Sequence, residues 1–153
     1  LCRDPAWDAD LVVVGRGAEV PAWQARARSA GLTDRIEFLG FVRDLPDLYR
    51  ACDAHCLPSR YEGYSLVTQE ALACGLPAFV TRTAGIAGRY PDSLADFLIP
   101  DPDDAADLAD RLRRWRSQMD TYRALASPFG QALRDHTWDH MAEQIAALID
   151  APA

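Results

Sequence analysis

The sequence predicts an α/β fold, a parallel sheet with helices on both faces, and three observations predict it. Short apolar runs alternate with helical stretches over the first two thirds of the chain, the order expected of strands joined by helical crossovers. The first run, Leu11-Val12-Val13-Val14, is apolar at every position, as in a strand covered on both sides. The runs close on residues that turn the chain: Gly15-Arg16-Gly17, Gly40 and Pro58. A chain of 153 residues, 49% hydrophobic and 25% charged, is long enough for one globular domain (1–153) with a sizeable core.

Each element has a local cause. After the first strand, an Ala- and Arg-rich stretch from Ala18 to Ala30 reads as a helix stopped by Gly31. Ile36 to Gly40 is the second strand, Asp44 to Ala51 a short helix, and Ala54 to Leu57 a third strand ending at Pro58. Ser65 is placed to cap a helix running to Cys74, with Gly75 as its stop and Pro77 beyond. Ala78–Thr81 and Phe97–Ile99 read as further strands. The final third, about 103–150, is helical. Ala105, Leu108, Leu112 and Trp115 recur at helical spacing, with Asp107–Arg111 and Asp110–Arg114 expected as exposed pairs. The stretch from Asp120 to Asp135 is expected to break at Ser127-Pro128-Phe129-Gly130, and a last helix covers Trp138 to Ile149. Trp23, Trp115 and Trp138 are expected in the core and in helix docking.

Composition narrows the function classes. Sixteen cations against twenty-three acids give a net charge of −7, a poor basis for holding nucleic acid by counterion release. Every cation is arginine, so Schiff-base chemistry and a P-loop lysine are absent. No apolar run approaches a membrane span, and the first residues lack the pattern of a secretory leader. Cys2, Cys52, Cys56 and Cys74 form no C-x-x-C pair and read as small buried hydrophobes of a reducing, cytoplasmic setting. Cys52, His55 and Cys56 do not make a zinc site, since neighbours on a strand point to opposite faces. His136 and His140 are four apart, but Thr137 reads as a helix cap that leaves His136 outside the helix.

Ligands of parallel α/β folds gather where strands end. The richest such segment runs from Pro58 to Pro77: it leaves a strand, turns at Gly63 and enters a helix. The first amides of that helix have no partner within it, and its dipole favours an anion such as phosphate. Glu62 lies on the approach, and Glu70 lies five residues beyond Ser65, about 7.5 Å along the axis. A carboxylate accepts hydrogen bonds from a vicinal diol. The series acid, amide donors, acid therefore matches a nucleotide sugar: hydroxyls at both ends and a diphosphate between.

The segment resembles the E-x7-E region of the retaining glycosyltransferases of the GT-B fold, family 4 (group 1). Pro58-Ser59, Glu62-Gly63, Leu66, Glu70-Ala71, Ala73, Gly75 and Pro77 match its pattern. Leu11–Gly17, Arg35–Val42, Leu48–Asp53 and Thr137-Trp138 resemble flanking motifs, so the likeness spans roughly residues 11 to 150. It implies the Rossmann-like C-terminal, donor-binding half of such an enzyme, working with retention and without a metal or other cofactor. It also implies roles. Glu62 is the catalytic-site carboxylate on donor-sugar hydroxyls, and Glu70 holds the ribose. The stretch Gly63, Tyr64, Ser65, Leu66 and Val67 meets sugar and diphosphate. Phe41, Val42 and Asp44 border the base, and Thr81 to Gly85 lies near the donor. The implied partners are a UDP- or GDP-sugar and an N-terminal acceptor-binding domain, with peripheral membrane association of the full enzyme as a further expectation.

The chain departs from the pattern in places. Tyr64-Ser65 stands for Phe-Gly, adding a hydroxyl and bulk where the sugar lies, Ala84-Gly85 stands for Gly-Gly, and Gly88 falls where an acid is frequent. The family's opening strand with its Arg and Lys-Gly is not in this sequence; in the implied fold that strand lies mid-sheet, between this chain's first and third strands. A helix terminus offers a charge about 0.3–1 kcal/mol, whereas one strong donor to a developing anion is worth about 3–4 kcal/mol. Without those cations and an acceptor site, the chain alone is expected to bind rather than turn over.

Three other readings stand beside this one. Gly15-Arg16-Gly17 is part of a dinucleotide fingerprint, but its third position is Val20 followed by Pro21. Glu62 and Glu70 would serve a hydrolase if they flanked a glycosidic bond at about 5–9.5 Å, although an anion site between them suits a phosphorylated donor better. A non-catalytic nucleotide-binding or interaction module would keep the fold without turnover. Arg60, Arg82 and Arg89 border the candidate site as phosphate-reaching cations or as solvated surface, and His55 reads as a strand residue with a satisfied ring.

Overall fold

The computed structural model describes residues 1–149. The chain forms two compact units, Leu1–Leu45 and a second from Pro46 onward. Each carries its own parallel sheet, of two and three strands.

In the first unit β1 (Leu11–Val14) pairs in parallel with β2 (Ile36–Gly40), the register running from Leu11 opposite Ile36 to Val14 opposite Gly40. The crossover is α1 (Val20–Ser29), which takes Pro21 in its first turn, where no intrahelical N–H bond is lost. Gly31, at a φ of 66°, ends it with a conformation that β-carbons resist. Arg35 clasps the segment before β1, donating to the carbonyls of Trp7 and Ala9 at 2.8 Å each and pairing with Asp10.

The second unit opens with α2 (Pro46–Ala51) and builds the sheet β3 (His55–Leu57), β4 (Ala78–Thr81), β5 (Leu98–Ile99), in that order and all parallel. Between β3 and β4 runs α3 (Leu66–Ala73); between β4 and β5 lie two 3-10 turns, Gly85–Arg89 and Asp92–Phe97. Three helices follow: α4 (Ala105–Ser117), α5 (Met119–Asp135) and α6 (Trp138–Ile149). β4 is buried at all four positions. Its Phe79 ring lies 5.1 Å from Phe97, 6.2 Å from Tyr122 and 6.5 Å from Trp115, so the core is an aromatic cluster joining sheet, 3-10 turn, α4 and α5.

β1, expected to be covered on both faces, is exposed at Leu11 and Val14 in its two-stranded sheet. Three further expectations fail, each for a packing reason. α5 runs unbroken through Pro128 and Gly130. Its buried stripe is Tyr122, Ala126, Gly130 and Leu133, and Gly130 sits so close to the Leu72 carbonyl of α3 that a β-carbon would overlap it. That seating outweighs the hydrogen bond Pro128 forgoes, roughly a 3 kcal/mol penalty in a helix interior. The charged pairs of α4 also differ. Arg111 pairs with Asp107 at 2.6 Å, but its side chain is largely buried and also donates to the Asp96 carbonyl at 2.8 Å. Asp110 pairs with Arg113, leaving Arg114 for Asp96 at 3.0 Å. Asp96, which also accepts from the Tyr122 hydroxyl, is thus the hub. Finally, Trp115 is buried as expected, whereas Trp23 and Trp138 are 53% and 78% exposed. Among the described residues no helix is long and apolar enough to cross a membrane.

Candidate functional site

The chain leaves β3 at Leu57 and reaches α3 through Pro58–Ser65. Ser65 occupies the cap position with a φ of 75°, and it alone among the described residues holds a positive φ without being glycine. Its side chain does not cap. It is 4% exposed, and its hydroxyl lies 2.7 Å from that of Thr68. The added hydroxyl is therefore turned inward and not toward a ligand, correcting the expectation drawn from the Gly-to-Ser departure. The amides of Leu66, Val67 and Thr68 consequently have no hydrogen-bond partner among the described residues; the first amide with one is that of Gln69, which donates to the Ser65 carbonyl at 3.2 Å. No acidic residue stands in the first turn. Such a helix start is a set of aligned donors at a positive dipole end.

Two braces fix this start. The Tyr49 hydroxyl of α2 donates to the Val67 carbonyl at 3.1 Å. Burial, with the charge of Glu70 second, pushes the Tyr49 phenol up to about 12, so it remains a donor. From the other side, the Gly85 and Ile86 amides donate to the carbonyls of Gly63 and Tyr64 at 2.7 and 3.0 Å. The segment after β4 is thereby docked onto the approach to α3. A β-carbon at Gly85 would overlap the Gly63 carbonyl oxygen, so the glycine kept from the Gly-Gly pair is the one that close approach requires.

Glu62 lies in the approach loop, half-buried; Glu70 lies on α3, exposed, on the helical face it shares with Leu66 and Val67. Neither carboxylate forms a hydrogen bond or ion pair with another described residue. Of the three border cations, Arg60 is bound in a fork by Asp103 at 3.0 and 2.6 Å. Arg89 donates to the Tyr64 hydroxyl at 2.9 Å, so it fixes the second departure from the pattern, and it has no carboxylate partner among the described residues. Arg82 is exposed. No spacing along the chain signals the Tyr64–Arg89 contact, which depends on how the 3-10 turn folds back.

The residues expected at the base belong to the first unit. Phe41 is exposed with the Arg16 guanidinium 5.4 Å from its ring centre; Val42 is half-buried and Asp44 exposed. In that unit the Gly15 amide donates to the Gly40 carbonyl at 2.7 Å, so Gly15-Arg16-Gly17 is a turn tied to the end of β2.

All four cysteines are free thiols, and burial pushes that of Cys56 up to about 12. The His55 ring meets the Thr68 hydroxyl at 3.3 Å, a satisfied strand residue as expected. Thr137 accepts from the His140 amide at 3.2 Å, capping α6 and leaving His136 outside it. No group of His, Cys, Asp or Glu among the described residues is arranged to hold a metal ion.

A family model described as "Glycosyl transferases group 1" matches residues 1–118. Mannosylfructose-phosphate synthase of Agrobacterium fabrum is 35% identical over 133 residues, covering 82% of this chain and 28% of that protein. D-inositol 3-phosphate glycosyltransferase of Salinispora tropica is 33% identical over 152 residues, covering 94% of this chain and 31% of the relative. The chain thus spans less than a third of either relative. Among solved structures, HepE of Anabaena in complex with UDP superposes with a TM-score of 0.83 over 97% of this chain and 42% of HepE, at 23% identity, a likeness of fold. HepE is also known in complex with UDP-glucose. Sucrose-phosphate synthase of Thermosynechococcus elongatus superposes at 0.79 over 92% of this chain and 37% of its own, at 27% identity.

Proposed function

The chain belongs to the group 1 glycosyltransferases and has the α/β fold of the GT-B enzymes, and on that premise we propose that it is the donor-binding part of a retaining sugar transferase. The observation that carries this reading is the open start of α3. Among the described residues the amides of Leu66, Val67 and Thr68 have no partner, and the carboxylates of Glu62 and Glu70, before and after them in the chain, have none either, on a backbone held from both sides. In the proposed complex those amides meet the donor diphosphate. Glu62 accepts from sugar hydroxyls and Glu70 from the ribose diol. HepE with UDP and with UDP-glucose supports a uridine diphosphate sugar as the first donor to test.

Transfer breaks the bond between the anomeric carbon and a phosphate oxygen, and negative charge gathers on the departing diphosphate. Fixed donors aimed at that charge stabilise it more than they stabilise the bound donor, which lowers the barrier. The acceptor and the rest of the diphosphate cradle would come from the larger enzyme, so this chain binds donor without turning it over.

Calorimetric titration with UDP, GDP and other nucleoside diphosphates tests the reading. We expect weak saturable binding of at least one, lost in Glu70→Ala. Equal affinity in both variants contradicts the ribose role, and no binding of any member contradicts the donor site.

A further inference from the structure

The left-handed start of α3 has to be held by something. An L-residue with a β-carbon resists a φ of 75°, and glycine is the usual solution. Here the residue is serine, almost fully buried, and its hydroxyl is the first link of a polar chain. Ser65 Oγ lies 2.7 Å from Thr68 Oγ1, and Thr68 Oγ1 lies 3.3 Å from His55 Nε2. Thr68 is fully buried within α3, and His55 opens β3. The Tyr49 ring stands edge-on to the imidazole at 6.2 Å, and the same tyrosine's hydroxyl ties down the Val67 carbonyl.

We propose that Ser65, Thr68 and His55 are positioning residues, a hydroxyl–hydroxyl–imidazole relay that locks the tip of α3 in its left-handed start and so aims the Leu66–Thr68 amides at the phosphates of a nucleoside diphosphate. The inference rests on the donor-site reading above. The donors and acceptors balance. Burial lowers the His55 ring to about 4, so at neutral pH it is uncharged, and in the proposed relay its proton sits on Nδ1 and Nε2 accepts from the Thr68 hydroxyl. The Thr68 oxygen then accepts from the Ser65 hydroxyl. In that order each buried hydroxyl has a partner. Ser65 is neither a sugar contact nor an ordinary cap, because its hydroxyl points into the protein and takes no amide. The relay stands in for glycine with the opposite virtue: glycine permits the conformation, whereas the relay imposes it.

The test uses the whole chain and four variants, Ser65→Gly, Ser65→Ala, Thr68→Ser and Thr68→Val. UDP affinity is measured by calorimetry, and hydrogen exchange of the Leu66–Thr68 amides is measured without ligand. Glycine accepts the backbone and serine restores the hydroxyl, so Ser65→Gly and Thr68→Ser stay within about threefold of the parent affinity. Ser65→Ala and Thr68→Val lose about tenfold and exchange faster at the tip. A role in packing alone reverses the first pair, since alanine fills the buried site better than glycine. The nitrogen resonance of His55 Nε2 adds a signature: that of an unprotonated acceptor, moved by Thr68→Val and returned by Thr68→Ser. If the parent chain binds no UDP, the donor reading fails, and the exchange order with the His55 signature alone decides the relay. Alanine and valine variants matching the parent in exchange and in the His55 resonance would overturn it.

Discussion

Two helices of the second unit begin in opposite ways. At the start of α4, the Asp104 carboxylate accepts from the amides of Ala106 and Asp107 at 3.0 Å each, and Asp107 adds an acid to the first turn. At the start of α3, Ser65 offers nothing to the amides, no acid stands in the first turn, and the residue at the cap holds a backbone conformation it disfavours. The first arrangement is what stability alone selects: orphan donors satisfied and the dipole neutralised. The second gives up both. This helix start is left open to solvent while tertiary bonds brace it from α2 and from the segment after β4, and in the donor-site reading proposed above those free amides are the ones the diphosphate takes.

That contrast can be tested in descending order of expected effect. Acid should loosen the α3 end selectively. The His55 ring is held uncharged by burial, its pKa lowered from 6.5 to about 4, so between those values the unfolded chain binds more protons than the folded one. Stability is therefore lost as pH falls from about 6.5 to about 4, with no further loss from this group below, on the order of 3 kcal/mol at most. Urea unfolding across that range should show the slope in the parent chain and a flatter one in His55→Gln. Gly85→Ala is next. Its β-carbon would overlap the Gly63 carbonyl, so about 1–3 kcal/mol of stability should go, together with the seating of the Glu62–Tyr64 loop, and nucleotide binding with it. Leu66→Asp makes α3 resemble α4. Leu66 is 60% exposed, so the fold tolerates the change; stability should rise by a few tenths of a kcal/mol while UDP affinity falls about tenfold. The mirror experiment, Asp104→Ala, should cost about 1 kcal/mol in thermal unfolding and leave UDP affinity unchanged.

Much of the framework was legible because its causes are local. Leu11–Val14, Ile36–Gly40 and Ala78–Thr81 form strands at the positions their apolar runs imply, and Gly31 and Gly75 end helices with the positive φ that glycine permits. That a helix follows β3 with Glu62 on its approach and Glu70 within it followed from strand, turn and helix order. What stayed hidden depends on distant partners. Pro128 and Gly130 look like a break until α3 is known to press against Gly130. The ion pairs of α4 were assigned by spacing along one helix, yet Asp96, from the turn before β5, draws Arg111 and Arg114 to itself. Ser65 reads as an ordinary cap, and only its backbone angle and the hydroxyl of Thr68 reveal otherwise; a threonine three residues beyond a serine was the single clue in the sequence. The tryptophans mislead for a related reason: hydrophobicity says that Trp23 and Trp138 gain from burial without saying what covers them.

The amide resonances of the two helix starts, followed through one titration with UDP, test the central claim most directly. A donor site at α3 gives saturable shifts at Leu66, Val67 and Thr68, whose amides have no partner among the described residues, and none at Ala106 and Asp107, whose amides Asp104 already holds. Shifts of equal size at both starts, or none at α3, would contradict it.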